Sequence, residues 1–131
     1  MRALLDTHIW LWSQLEPDRL GSSVRRKLDD AATELWLSPV SVWETLLLAE
    51  KGRISLAPSP AAWVEARLME IPMREAVLDR RVALASRRVE LAHDDPADRF
   101  LAATAAVYDL VLVTADSRLM GCPSMQVLAN R

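Results

Sequence analysis

Apolar residues along this chain come in short blocks separated by turn chemistry. The first block, residues 3–5, stops abruptly at Asp6; an uninterrupted apolar run this short suits a strand buried on both faces. A Trp-containing stretch over about 7–15 then follows helical spacing, and "PDRLGSS" reads as a loop. Ser22 or Ser23 caps a helix running to about Ala32, after which "LWLS" at 35–38 forms a second apolar strand. Ser38 and Pro39 make a good N-cap and first-turn pair, and Gly52 closes the helix they start, over about 39–51.

Turn residues at "APSP" lead into a helix over about 61–70, and "IPM" at 71–73 is a candidate short strand. Composition predicts a helix across 74–91, with arginines paired at 80–81 and 87–88. Pro96 marks the first turn of another helix, "LVLVT" at 110–114 is the clearest strand, and "MQVLA" near the end is a plausible last one. Strands alternating with helices predict an α/β fold with a parallel sheet covered on both sides. The chain has 131 residues, 51% of them hydrophobic, enough for one real core. With no repeat, low-complexity tract or linker, a single domain over 1–131 is expected.

The formal net charge is −2, so any nucleic-acid contact must use a local basic patch. The basic residues are nearly all arginine, Lys27 and Lys51 being the only lysines. Arginine suits bidentate phosphate contacts, although a GC-rich genome produces the same bias. The lone Cys122 excludes an internal disulfide framework and the usual multi-cysteine zinc sites, which fits a reducing cytosol. Asp6 interrupts the N-terminal apolar run before a signal-peptide core forms, and no later stretch reaches membrane-spanning length. A soluble, unprocessed protein is expected.

In an open parallel sheet the functional crevice lies beyond the carboxyl ends of the strands. Asp6 ends the first strand and Asp116 follows "LVLVT" closely, so both belong on that edge. Glu44 and Asp98 fall in the first two turns of helices that begin there. Glu44 is the most informative of the four: its helical neighbours are Val40, Leu47 and Leu48, an apolar face on which an unpartnered carboxylate is costly. Taken singly, each acid has a plainer reading. Glu44 can reach water or an arginine, Asp98 can complete a capping box behind Asp95 and Pro96, and Asp6 and Asp116 can be turn residues. Together, four acids on one sheet edge repel one another unless cations sit among them. Mg²⁺ or Mn²⁺ meets that need with oxygen ligands, while His8 and His93 are too few and too separated to argue for zinc. Carboxylates around one or two such ions make a phosphoryl-transfer site.

"LLDTHIWLW", "SPVSVWE", "DPADRFLAATA" and "LVTAD" occur in an order and spacing that resemble a PIN domain, and together look like a VapC-type toxin of a bacterial type II toxin–antitoxin system. The resemblance spans nearly the whole chain. It implies a three-layer α/β/α sandwich with a parallel sheet of about five strands. It further implies a Mg²⁺- or Mn²⁺-dependent endoribonuclease that cleaves RNA phosphodiesters with an activated water, leaving a 5′-phosphate. Asp6, Glu44, Asp98 and Asp116 match the four family acids, and Asp95 matches a capping aspartate. Thr7, Thr114 and Arg99 match positions near the family site, as supports for the acids or phosphate contacts.

The same resemblance implies a cytoplasmic bacterial protein, a homodimer, and a cognate antitoxin lying in an apolar groove. Trp10 and Trp12 are candidate antitoxin contacts, because tryptophan is frequent at interface hot spots and two residues spaced by two cannot both point inward from one helix. Core packing is the expectation for Trp36 and Trp43. The arginine pairs at 80–81 and 87–88 are either RNA guides or, more commonly, a solvated helix face. Among rivals, a phospho-accepting signalling domain needs a lysine after a late strand, and neither Lys27 nor Lys51 is so placed. A phosphatase with Asp-x-Asp after its first strand needs an acid where Thr7 and His8 stand. A catalytically silent PIN fold that only binds RNA or protein remains the alternative, against which the complete acid set argues.

Overall fold

The computed structural model describes residues Met1–Arg131. Five parallel strands, β1 (Arg2–Leu5), β2 (Glu34–Leu37), β3 (Arg74–Glu75), β4 (Val111–Thr114) and β5 (Gln126–Ala129), form one sheet in the order β3-β2-β1-β4-β5. The helices are α1 (Thr7–Leu15), α2 (Ser22–Asp29), α3 (Pro39–Glu50), α4 (Pro60–Glu70), α5 (Arg80–Ser86) and α6 (Pro96–Tyr108), with a single 3₁₀ turn at Pro17–Arg19.

Residue alternation on the central strand builds the layers. Ala3 and Leu5 face one side and pack with Ile9, Trp10 and Leu11 of α1, Val24 of α2 and Val64 of α4. Leu4 faces the other side and packs with Leu101 and Ala105 of α6 and with Leu112 of β4. Side chains on a strand point alternately to the two faces, so a run of three apolar residues feeds both cores at once. The result is the expected three-layer α/β/α sandwich. No helix is long and apolar enough to cross a membrane.

The helix starts follow the local chemistry. Ser38, Ser59 and Asp95 each accept a backbone N–H of the helix they precede, from Val40, Ala62 and Asp98 respectively, and each is followed by proline at the first helical position. Because all strands run the same way, β1, β2 and β4 deliver α1, α3 and the turn after β4 to one edge of the sheet, where α6 also begins.

The segment predicted as one helix over 74–91 is the main departure. Its first residues are instead the edge strand β3, paired Trp36↔Arg74 and Leu37↔Glu75, and the strand expected at 71–73 is displaced onto them. Asp79 then caps only the short α5, its side chain accepting from Val82 N–H. Charged residues on this outermost strand leave an edge poorly suited to further pairing. Helix α2 also stops earlier than expected, at Asp29, where Asp30 accepts the Ala32 N–H at 2.9 Å and turns the chain.

Tryptophan placement corrects two expectations. Trp10, a candidate antitoxin contact, is 2% exposed and packs edge-on against Trp63 in the core. Trp43, expected inside, is 55% exposed. Helix α3 carries apolar residues around most of its circumference and can turn only part of it inward. Trp36 is half-buried, stacked near Tyr108 with the Arg2 and Arg74 guanidiniums over its ring.

Candidate active site

Asp6 leaves β1 with its backbone N–H bonded to the Val113 carbonyl at 3.0 Å, locking it beside β4. Its carboxylate accepts the Thr7 N–H at 2.7 Å and the Thr114 hydroxyl at 2.6 Å. Burial nevertheless raises the Asp6 pKa, the two hydrogen bonds opposing it in part. Glu44, half-buried on α3, accepts the Thr7 hydroxyl at 2.6 Å, and that hydroxyl also lies 2.9 Å from Ser41 Oγ. Burial raises the pKa of Glu44 as well, with the Asp6 and Asp95 charges adding to it. Thr7 thus touches both Asp6 and Glu44, and Thr114 touches Asp6, at the ends of adjacent strands.

Asp98 stands in the first turn of α6, its N–H held by Asp95 Oδ1 at 3.0 Å. Its carboxyl is pushed up to about 7, first by burial and then by the Asp95, Asp6 and Asp116 charges, with Arg118 pulling the other way. Asp116 follows β4 in a tight turn. Its N–H donates to Thr114 Oγ1 at 3.0 Å and its Oδ1 accepts the Arg118 N–H at 2.9 Å. The Arg118 guanidinium holds Asp116 below the usual carboxylate range.

All four acids line one cleft of about 450 Å³, together with His8, Trp12, Arg19, Asp95, Ala115 and Arg118. An all-carboxylate donor set suits hard divalent ions. As they stand, no three acidic, histidine or cysteine side chains are grouped to hold one ion. The carboxylates accept instead from Thr7, Thr114 and Arg118.

Two residues near the acids carry no sequence signal. Arg118 lies inside the cleft. His93 accepts the Asp95 N–H on Nδ1 at 3.2 Å, which places the proton of its neutral ring on Nε2, 3.5 Å from Asp98 Oδ2. Its Nε2 is buried without a hydrogen-bond partner. Spacing in the sequence shows that these residues are near in number to Asp98 and Asp116, but not which way they turn.

Arg99 corrects another expectation. It is 7% exposed and turns away from the cleft, donating to the carbonyls of Ser86, Val89 and His93 at 2.8, 3.0 and 3.1 Å. It is an anchor for the segment between α5 and α6, not a phosphate contact. Replacing it with methionine leaves three carbonyls without their donor, and a loss of about 2–3 kcal/mol is expected. Denaturant unfolding of Arg99→Met measures this. The arginines at 80–81 and 87–88 also lie off the cleft: Arg81 pairs with Asp79 at 3.1 Å, and Arg87 with Asp94 at 3.7 Å.

The family model of the PIN domain matches residues 3–120. Ribonuclease VapC22 of Mycobacterium tuberculosis is 34% identical over 116 residues, covering 88% of both chains. Among solved structures, VapBC2 from Rickettsia felis, bound to a DNA fragment from its promoter, superposes with a TM-score of 0.74 at 13% identity over the whole of both chains. DNA-bound VapBC from Salmonella typhimurium gives a TM-score of 0.72 at 22% identity over 98% of each chain. The sheet order, the cleft at its carboxyl edge and these matches agree, and the chain belongs to the PIN-domain family, among its VapC-type members.

Proposed function

We propose that this protein is a divalent-metal-dependent endoribonuclease acting as the toxin of a toxin–antitoxin pair. The observation that carries the reading is the convergence of Asp6, Glu44, Asp98 and Asp116 on one cleft at the carboxyl edge of the sheet. The 34% identity to a ribonuclease supports it. A bound Mg²⁺ or Mn²⁺ supplies Lewis acidity to the phosphodiester and to the attacking water. Asp6, Glu44, Asp98 and Asp116 would hold one or two such ions.

The chain's own groups prepare that chemistry. Thr114 and the Thr7 N–H fix the Asp6 carboxylate, and the Thr7 hydroxyl orients Glu44, so both acids are aimed before any ligand arrives. Asp98, with a pKa near neutrality, can hold a proton in the metal-free cleft, its Oδ2 left to face Arg118 and His93. Arg19, on the cleft wall with its guanidinium 4.3 Å from the Trp12 ring centroid, offers a positive charge to a phosphate backbone.

VapBC assemblies are among the structural neighbours, and their likeness supports an antitoxin as the partner we propose for this chain. A smaller, more apolar cleft of about 240 Å³ adjoins the acids through His8, Glu44 and Asp95 and is lined by Trp43, Leu47, Leu48 and Pro96. Exposed Trp43, in place of Trp10, is the anchor we assign to that contact, with Trp12 near the acids. A cytoplasmic homodimer of single-domain chains completes the proposal.

One observation favours the silent-module alternative: Arg118 occupies two of the acids. The test is incubation of end-labelled total RNA with partner-free protein in Mn²⁺ or Mg²⁺, in EDTA, and with Asp6→Asn. Fragments present only for wild type with metal are expected. Inert wild type that also fails to bind Mn²⁺ by calorimetry would establish the silent module.

A further inference from the structure

The acid cleft carries its own cation. Arg118 Nη2 lies 2.9 Å from Asp116 Oδ2 and 3.3 Å from Asp98 Oδ2, while its Nε approaches both Asp116 oxygens at 3.2 and 3.3 Å. One guanidinium therefore ties together carboxylates from two separate elements, the first turn of α6 and the turn after β4. The backbone beneath it is fixed, because Asp116 Oδ1 accepts the Arg118 N–H and Thr114 holds the Asp116 N–H. The side chain itself is 56% exposed and makes no other hydrogen bond or ion pair. It is held by charge and not by packing.

We propose that Arg118 is a built-in counter-cation that occupies Asp98 and Asp116 in the metal-free protein and must be displaced for a divalent ion to load. The inference rests on the metal-dependent reading above. A hard ion needs the same Oδ2 lone pairs that now accept from Nη2, and a guanidinium left there would repel it at close range. Metal binding is then an exchange within the cleft, the guanidinium swinging out on its fixed backbone as the ion enters. The exchange would keep Asp98 and Asp116 from sitting as bare neighbouring charges when no ion is present, and it lowers the apparent ion affinity in proportion to how often the guanidinium is in place.

Calorimetric titration of the metal-free full chain with Mn²⁺, at one pH and low ionic strength, tests the exchange in wild type, Arg118→Gln and Arg118→Lys. Removing the competitor is expected to tighten Mn²⁺ binding by about tenfold in Arg118→Gln. Lysine keeps the charge but lacks the planar fork that grips Asp116 through Nε and Nη2 together, so Arg118→Lys should fall between. The rise in melting temperature caused by saturating Mn²⁺ should be larger in both variants than in wild type. Equal or weaker Mn²⁺ affinity in Arg118→Gln, beside normal binding by wild type, would overturn the exchange and leave the ribonuclease reading standing. Failure of wild type and variants alike to bind, with normal circular dichroism, would overturn both. Should Arg118→Gln not fold, the lysine variant decides alone: tighter binding than wild type supports the exchange, and equal or weaker binding refutes it.

Discussion

Asp98→Asn should lower RNA cleavage by more than about 100-fold while raising the melting temperature of the metal-free protein at pH 8. The loss follows from removing a proposed ligand, since even groups that only orient metal ligands are worth about 10–100-fold. The gain in stability follows from the same carboxyl's surroundings. Burial and the charges of Asp95, Asp6 and Asp116 disfavour ionised Asp98, and asparagine keeps an oxygen for Arg118 without the charge. Asp95 still caps α6, because that bond uses the backbone N–H of residue 98. Cleavage assays and thermal melts in EDTA check the two halves separately. Undiminished cleavage would remove Asp98 from the chemistry, and a lower melting temperature would show that its charge is stabilising after all.

The metal-free protein should lose stability as pH rises from about 4 towards 8. Asp98 titrates near 7 when folded and near 3.8 when unfolded. Between those values the folded state holds a proton that the unfolded state has released. Stability from this group is therefore fully present below the unfolded value and drains away as pH climbs through the folded one. Linkage sets an upper bound of about 4 kcal/mol on the total from Asp98, which solvent screening in the open cleft reduces. Asp6 and Glu44, also raised, act in the same direction. Asp116, depressed by Arg118, has its effect below the unfolded value and is level across this window. Denaturant melts in EDTA from pH 4.5 to 8 measure the slope, and Asp98→Asn should flatten it. Saturating Mn²⁺ should flatten it too, releasing protons on binding near neutral pH, which calorimetry in buffers of different ionisation enthalpy detects.

Features that depend on neighbours in sequence were readable before the structure. Ser38 with Pro39, and Asp95 with Pro96, announce helix starts through capping chemistry confined to one turn. The acids at strand ends could be brought to one edge because parallel strands share a direction. Side-chain heading was not readable. Arg99 turns to the carbonyls of Ser86, Val89 and His93 because those groups are left bare where α5 ends, and nothing in "DPADRF" records that need. The stretch over 74–91 reads as helix by composition, yet the open edge of β2 draws Arg74 and Glu75 into pairing. Trp10 and Trp12 illustrate the same limit: their spacing requires different headings, and only the packing of Trp63 shows that Trp10 is the one inside.

The pairing of β1 with β4, Ala3 with Val111 through Leu5 with Val113, joins segments made at opposite ends of synthesis. Contacts so distant in sequence form late and slowly compared with the local turns of the helices. Asp6 acquires its Thr114 partner, and the proposed site its fourth acid, only after that pairing. A chain still emerging from the ribosome therefore lacks the complete acid cleft, which is assembled only once the last strands have been made and paired.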